Sequence, residues 1–132
     1  MQTINIKPLS VNKAWQGRRY KTKDYKSYEK EALLKLPAID LPKGKLSIYL
    51  EFGVSNSGFD WDNGIKPFQD ILQKKYGFND SRVVNAVVLK RMVDKGSEYI
   101  SFNLTPSNIE NHEARSKSLD ELAALGQELG LY

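Results

Sequence analysis

The sequence predicts a small α+β domain with a mixed sheet packed by helices, and three observations predict it. Residues 46–54 alternate apolar and polar side chains without a break, as a half-buried strand does. Residues 25–36 and 65–76 repeat apolar side chains at near-helical spacing. A β-branched run from Val83 to Val93 meets a turn and then a second apolar run, the pattern of a hairpin. The resulting order, β-α-β-α-β-β, favours an α+β domain over a doubly wound sheet. The chain's 132 residues supply one core of useful size, because two smaller domains would each bury too little surface.

Each element follows from its residues. Thr3-Ile4-Asn5-Ile6 alternates weakly and predicts a short first strand that stops near Pro8. Asp24 is placed to cap a helix whose Tyr25, Tyr28, Ala32 and Leu36 share one face and which ends before Pro37. After a Pro-Lys-Gly turn, Leu46, Ile48, Leu50, Phe52 and Val54 point one way, and Ser47, Tyr49 and Glu51 the other. The second helix carries Ile65, Phe68, Ile71, Leu72 and Tyr76. Pro67 is tolerated only in a first turn, so this helix starts close to Ile65 and runs to about Lys75, before Gly77. Asp94-Lys95-Gly96-Ser97 turns the chain, and Tyr99 to Leu104 is expected to return as the partner of the preceding strand.

The domain is therefore expected to span residues 1–104. Residues 105–117 read as a polar linker, and residues 118–130 as an amphipathic helix. Ser118-Leu119-Asp120-Glu121 fits a capping box, and Leu119, Leu122, Ala123 and Leu129 form an apolar stripe. Such a stripe cannot be buried by the helix alone, so it calls for the domain, a second protomer or a protein partner.

Charge is unevenly spread. Lys and Arg number 20 against 16 Asp and Glu, a formal +4. Residues 1–45 hold 11 basic against 4 acidic side chains, residues 46–104 hold 7 of each, and residues 105–132 hold 2 against 5. The modest total thus conceals a basic front, which fits a phosphate backbone or an ordinary solvated face. Cysteine is absent and His112 is the one histidine, which removes thiolate chemistry and zinc sites built from Cys and His. No apolar run approaches a membrane span and no leader is apparent. A soluble, cytoplasmic protein is expected.

The informative stretch is Gly58-Phe59-Asp60-Trp61-Asp62-Asn63-Gly64-Ile65-Lys66, between the best strand and the second helix. If Asp60 to Asp62 were extended, both carboxylates would project to one side, and a cation would be needed to join them. Lys66 follows Asp62 by one helical turn. Asp80, just before the long strand, is expected to meet the first two acids at the end of the sheet. Three carboxylates and a lysine without histidine suit a hard cation such as Mg²⁺ and the hydrolysis of a phosphodiester. In that chemistry Lys66 offsets transition-state charge or positions the water. An ordinary structural reading covers the same residues: Asp and Asn cap helices, Asp80 shapes a turn, and Lys66 pairs with Asp62 or Asp70.

Competing templates fail. Counted from Asp60, an EF-hand would need Gly at position 65 and Glu at position 71, where Ile65 and Ile71 stand. No phosphate-cradling glycine loop ending in Lys-Ser or Lys-Thr is present, and a serine triad would have only His112 to call on.

With Asp60-x-Asp62-Asn63-x-x-Lys66, Asp80 after a Gly-Phe, the early Ser10-Val11-Asn12 and the basic stretch before the first long helix, residues 1–104 resemble the RusA family of Holliday-junction resolvases. These enzymes occur in bacteria and are commonly encoded by phages and prophages. The resemblance implies a RusA-like fold and a homodimeric endodeoxyribonuclease that nicks opposing strands of a four-way junction in recombination and repair. It implies Mg²⁺, with Mn²⁺ able to substitute, held by Asp60, Asp62 and Asp80, with Lys66 catalytic and Asn63 orienting the Asp62 turn. The family often has a double Asp where this chain has Asn79-Asp80, and the acidic tail has no counterpart in the family pattern.

A four-way junction is two-fold symmetric, so a two-fold dimer presents one site to each of two opposing strands. Asn12, Lys13, Arg18, Arg19, Lys21, Lys23, Lys26 and Lys30 are the candidate DNA contacts. Trp15 or Tyr20 would stack on an opened base or else pack in the core. Alternatives are a DNA-binding module without nuclease activity, a metal nuclease acting on other branched intermediates, and an interaction protein that works through its C-terminal helix.

Overall fold

The computed structural model describes residues 1–16 and 20–107, apart from the side chains of Gln16 and Tyr20. The elements in order are β1 (Gln2–Ile4), the one-turn helix α1 (Val11–Ala14), β2 (Trp15–Gln16), β3 (Tyr20–Lys21), α2 (Lys23–Lys35), β4 (Leu46–Val54), α3 (Ile65–Tyr76), a 3₁₀ turn (Asp80–Arg82), β5 (Val83–Met92) and β6 (Tyr99–Pro106). Four strands form a mixed sheet in the order β1-β6-β4-β5, and β2 pairs with β3 apart from it. The α+β class and mixed sheet expected from the sequence are thus present. The expected C-terminal helix, residues 118–130, and most of the linker lie outside the described residues.

Local chemistry explains the boundaries. β1 stops at Ile4, two residues earlier than the alternation predicts, although Ile6 remains buried. The cap of α2 is Thr22 rather than Asp24: the Thr22 hydroxyl accepts from the Tyr25 backbone N–H at 3.1 Å. Asp24 falls in the first turn, where a negative charge suits the helix dipole. Thr22 also donates to the Lys13 carbonyl at 2.6 Å, which ties α2 to α1. In α3, Pro67 occupies the first turn as expected, and Gly77 closes the helix with φ of 70°, a left-handed cap that favours glycine.

The strand neighbours differ from the expected hairpin. β5 runs parallel to β4 on one side, with Leu46 opposite Val83 and Val54 opposite Met92. β6 runs antiparallel to β4 on the other side. The Asp94–Ser97 turn therefore carries the chain past the end of β4 instead of between adjacent strands. Burial accounts for the order. Ile100, Phe102 and Leu104 are buried, so β6 belongs inside the sheet, between β1 and β4. β5 carries Asn85, Lys90 and Arg91 and is exposed along most of its length, so it suits an edge. β6 also runs on to Pro106, two residues into the expected linker.

One face of the sheet meets α2 and α3. Tyr25, Tyr28, Ala32 and Leu36 from the first helical segment and Phe68, Ile71 and Leu72 from the second share one buried cluster with alternate residues of β4 and β6. Apolar burial at roughly 25 cal/mol per Å² drives this packing. No helix among the described residues is long and apolar enough to cross a membrane.

The opposite face is organised around Glu51. Its carboxylate accepts from the Tyr99 hydroxyl at 2.7 Å and the Tyr49 hydroxyl at 3.0 Å, and Arg91 Nε lies at 3.2 Å. The hydrogen bond from Tyr99, followed by those from Tyr49 and Arg91 and the Arg91 charge, outweighs partial burial and holds the carboxyl below its ordinary 4.5. A lowered folded pKa contributes stability above the unfolded value, and that stability is lost as pH falls through the folded one. Urea midpoints compared at about pH 6 and about pH 3 should therefore fall less in Glu51→Gln than in the wild type.

Gly53 sits opposite Tyr99 in the β4–β6 register, and the Tyr99 ring lies where a side chain at 53 would go. Gly53→Ala is expected to displace that ring and lower stability by about 1–3 kcal/mol, the usual cost of overpacking. Urea denaturation with an unchanged m-value checks this.

Candidate active site

The Asp60-x-Asp62 stretch lies on the loop that joins the C-terminal end of β4 to α3. The loop is braced from within. Asn56 Oδ1 accepts from the Gly58 N–H at 2.9 Å, and the Phe59 N–H donates to the Asn56 carbonyl at 3.1 Å. Phe59 turns inward and packs on Phe52, with ring centroids 6.2 Å apart at 51°. Gly64 passes so close to these two rings that an added Cβ would stand 2.9 Å from Phe52 and 3.0 Å from Phe59. The loop is also held from outside, because the Val11 N–H donates to the Asn63 carbonyl at 2.8 Å.

The extended geometry considered for Asp60 to Asp62 is not adopted. The Asn63 N–H donates to the Asp60 carbonyl at 3.0 Å and the Ile65 N–H to the Asp62 carbonyl at 3.3 Å, which makes a turn leading into α3. Strand alternation therefore does not align the two carboxylates. They stand exposed on a tight turn beside Trp61, itself 58% exposed. Asn63 fixes that turn through its backbone rather than its side chain.

Lys66 lies in the first turn of α3 and is exposed. Its ammonium pairs with Asp70 at 2.9 Å, not with Asp62. Exposed pairs of this spacing contribute about 0.3–0.5 kcal/mol, so Lys66 can leave Asp70 for a phosphate at small cost.

Asp80 is elsewhere. It opens the 3₁₀ turn before β5, where Asn79 Oδ1 caps the turn by accepting from the Ser81 N–H at 2.9 Å. Arg82 anchors that turn to the carbonyls of Pro42 and Gly44, ahead of β4. Val83 is level with Leu46, whereas the acidic turn follows Val54. The parallel pairing thus sets Asp80 at the opposite end of the sheet from Asp60 and Asp62, with the length of β4, about 26 Å at a strand's rise per residue, between the two strand ends. The expected meeting of three carboxylates does not occur within one chain. Among the described residues, no three His, Cys, Asp or Glu side chains come together where they could hold a metal ion.

Two carboxylates still fit the expected cation. Mg²⁺ commonly keeps several waters and binds through one or two carboxylates together with substrate phosphates. Asp60 and Asp62, solvent-exposed and free of ion pairs among the described residues, provide that donor set.

The basic candidates for DNA contact divide into three groups. Lys13, Lys23, Lys26 and Lys30 are exposed and without an ion pair among the described residues. Lys21 is engaged: it pairs with Glu29 at 3.2 Å and lies 5.0 Å from the Tyr25 ring centroid. Glu29 also receives Lys74 from α3 at 3.1 Å. Burial alone would raise the Glu29 carboxyl, but the two lysines overcome it and hold the pKa below its ordinary value. Arg18, Arg19 and the Tyr20 side chain lie outside the described residues. Trp15 stacks on Tyr25, with centroids 5.6 Å apart at 26°, and packs against the core.

Asn12 borders a feature that the linear reading missed, a cleft of about 680 Å³ between α2, the segment 7–13 and the acidic loop. Its walls come from residues far apart in sequence, including Lys7, Ser27 and Asn56, and no local motif marks them.

Compared with models of known protein families and with curated protein sequences, the chain matches none.

Proposed function

We propose that the chain is a RusA-like endodeoxyribonuclease that acts as a homodimer on four-way DNA junctions. The observation that carries the reading is the placement of acids at the two ends of a parallel strand pair whose outer member is an open edge. β5 pairs only with β4 among the described residues, and it bears Val84, Val87, Leu89 and Met92, four exposed apolar side chains. A long edge strand that exposes apolar side chains among its polar ones invites another strand. Antiparallel pairing of β5 with β5 of a second copy is two-fold symmetric. It carries Asp80 of each copy toward the Asp60–Asp62 turn of the other, so both sites are completed by one contact.

In this reading Asp60, Asp62 and the second copy's Asp80 would hold Mg²⁺, which supplies Lewis-acid stabilisation of phosphoryl charge when bound. Lys66 lies one helical turn from Asp62 and offsets charge that develops on the phosphate. Lys13, Lys23, Lys26 and Lys30 hold the DNA backbone without reading sequence.

The test is cleavage of a synthetic four-way junction in Mg²⁺ by wild type and Asp62→Asn. The variant is expected to bind the junction and lose at least about a hundredfold in nicking, the scale of removing one electrostatic stabiliser. Equal nicking by the two proteins would overturn the site. Binding without cleavage by the wild type in any divalent metal would select the DNA-binding module, and preference for flaps would select a nuclease of other branched intermediates. Binding should weaken with salt with a log–log slope of about −0.9 for each phosphate contacted, or −3 to −4 for the four free lysines. A flat response in a salt titration would remove the basic front from the interface.

A further inference from the structure

We infer that the cleft behind the acidic turn receives an unstacked nucleobase. The choice of nucleic acid rests on the junction-nuclease reading, whereas the chemistry of the cleft stands on its own residues. At about 680 Å³ the cleft is within the range of small-ligand sites, which combine apolar walls with a few polar groups. Pro8, Leu9 and Phe59 supply apolar surface. Tyr28 stands in the wall with its hydroxyl buried beside the Leu9 backbone, where it makes no hydrogen bond of normal geometry.

Three polar side chains of the lining are neutral and bifunctional. The side-chain amides of Asn12 and Asn63 and the hydroxyl of Ser27 line the cleft and make no hydrogen bond to any described residue. Each can both donate and accept, which matches the mixed edge of a heterocyclic base. Charge gives a phosphate no advantage as the occupant, because Glu31 is paired with Lys35 at 3.1 Å and the carboxylates of Asp24 and Glu98 balance Lys7 and Lys13 along the walls. A flat, uncharged ring with donors and acceptors on its edge meets both conditions.

Position then selects a base of the substrate. Phe59 and Asn63 belong to the cleft wall, and each adjoins one of the carboxylates, Asp60 and Asp62. The turn that presents acids on its outer side therefore closes the cleft with its inner side. A phosphate held at the acids would set its nucleotide on the turn whose Phe59 and Asn63 line the cleft. Extruding a base costs unstacking and unpairing energy, and a branch point interrupts the continuous stack. The cleft would thus read the base next to the nick and impose a sequence preference that phosphate contacts do not.

Titrating the ¹⁵N-labelled full chain with adenosine, cytidine, guanosine and thymidine tests the cleft without requiring cleavage. Saturable shifts are expected at Asn12, Asn56 and Asn63 at millimolar nucleoside, with the four bases unequal in affinity. Ser27→Leu fills the cleft from an exposed helical position and should weaken the best nucleoside at least tenfold, as should Asn12→Ala. In parallel, 2-aminopurine beside the nick should brighten when Asp62→Asn protein binds the junction, and Ser27→Leu should flatten the distribution of nick positions made by an otherwise wild-type chain. Absence of saturable shifts, or shifts unchanged in Ser27→Leu, would overturn the cleft even if junctions are cleaved. Saturable nucleoside binding by a chain that cleaves no junction would uphold the cleft and remove the nuclease reading.

Discussion

Mixing Asp62→Asn and Asp80→Asn chains is expected to restore junction nicking that neither variant shows alone. The expectation follows from the parallel register of β4 and β5, which sets Asp80 level with the start of β4 and the acidic turn beyond its end. In a dimer that completes each site across the two-fold, a mixed pair has one doubly broken site. Its other site combines the intact Asp60–Asp62 turn of the Asp80→Asn chain with the intact Asp80 of the Asp62→Asn chain. Random exchange makes half the dimers mixed, so about a quarter of the wild-type sites recover. The products should be single nicks, because paired incision needs both sites of one dimer. If each chain used its own three acids, every site in every dimer would lack one, and mixing would restore nothing. A junction assay that resolves nicked from fully resolved products separates the outcomes, with the unmixed variants as controls.

The same register shows why the placement of Asp80 relative to Asp60 and Asp62 was not legible in the sequence. Asp80 lies three residues before a strand and Asp60 six after one, so both read as belonging to a sheet end. Which end depends on whether the strands run parallel, and that depends on the course of α3 between them. Strand alternation has the same limit. It marks Leu46, Ile48, Leu50, Phe52 and Val54 as one buried face but carries no information on which strand lies alongside, and the expected β5–β6 hairpin proved to be two strands flanking β4. The elements that were legible have local causes: the unbroken alternation of β4, and Pro67 and Gly77 bounding α3. The turn at Asp60–Asn63 escaped because its hydrogen bonds, and the Val11 contact that secures it, leave no periodic trace. Lys21 likewise looked available in a basic run, yet Glu29, shared with Lys74 of α3, engages it.

Phe52→Ala is expected to cost about 3–5 kcal/mol, the usual effect of emptying a buried aromatic site. That is a large share of the 5–15 kcal/mol that holds a domain folded. Phe52 is fully buried on β4, and its ring supports the acidic loop twice, against Phe59 and against the backbone at Gly64. Those two contacts lie either side of Asp60 and Asp62, so the cavity left by the substitution opens directly beneath the turn that presents the carboxylates. Leu50→Ala is the informative comparison. Leu50 is equally buried, on the same face of β4 and two residues further from the loop, and its truncation costs about 2–5 kcal/mol. At a temperature where circular dichroism shows both variants folded, Leu50→Ala should nick junctions at close to the wild-type rate per folded molecule. Phe52→Ala should fall well below it, because displacing catalytic groups by about 1 Å costs on the order of a hundredfold in rate. Equal rates per folded molecule would mean that the loop keeps its shape without the Phe52 ring, leaving its own hydrogen bonds and the Val11 contact to hold the acids in place.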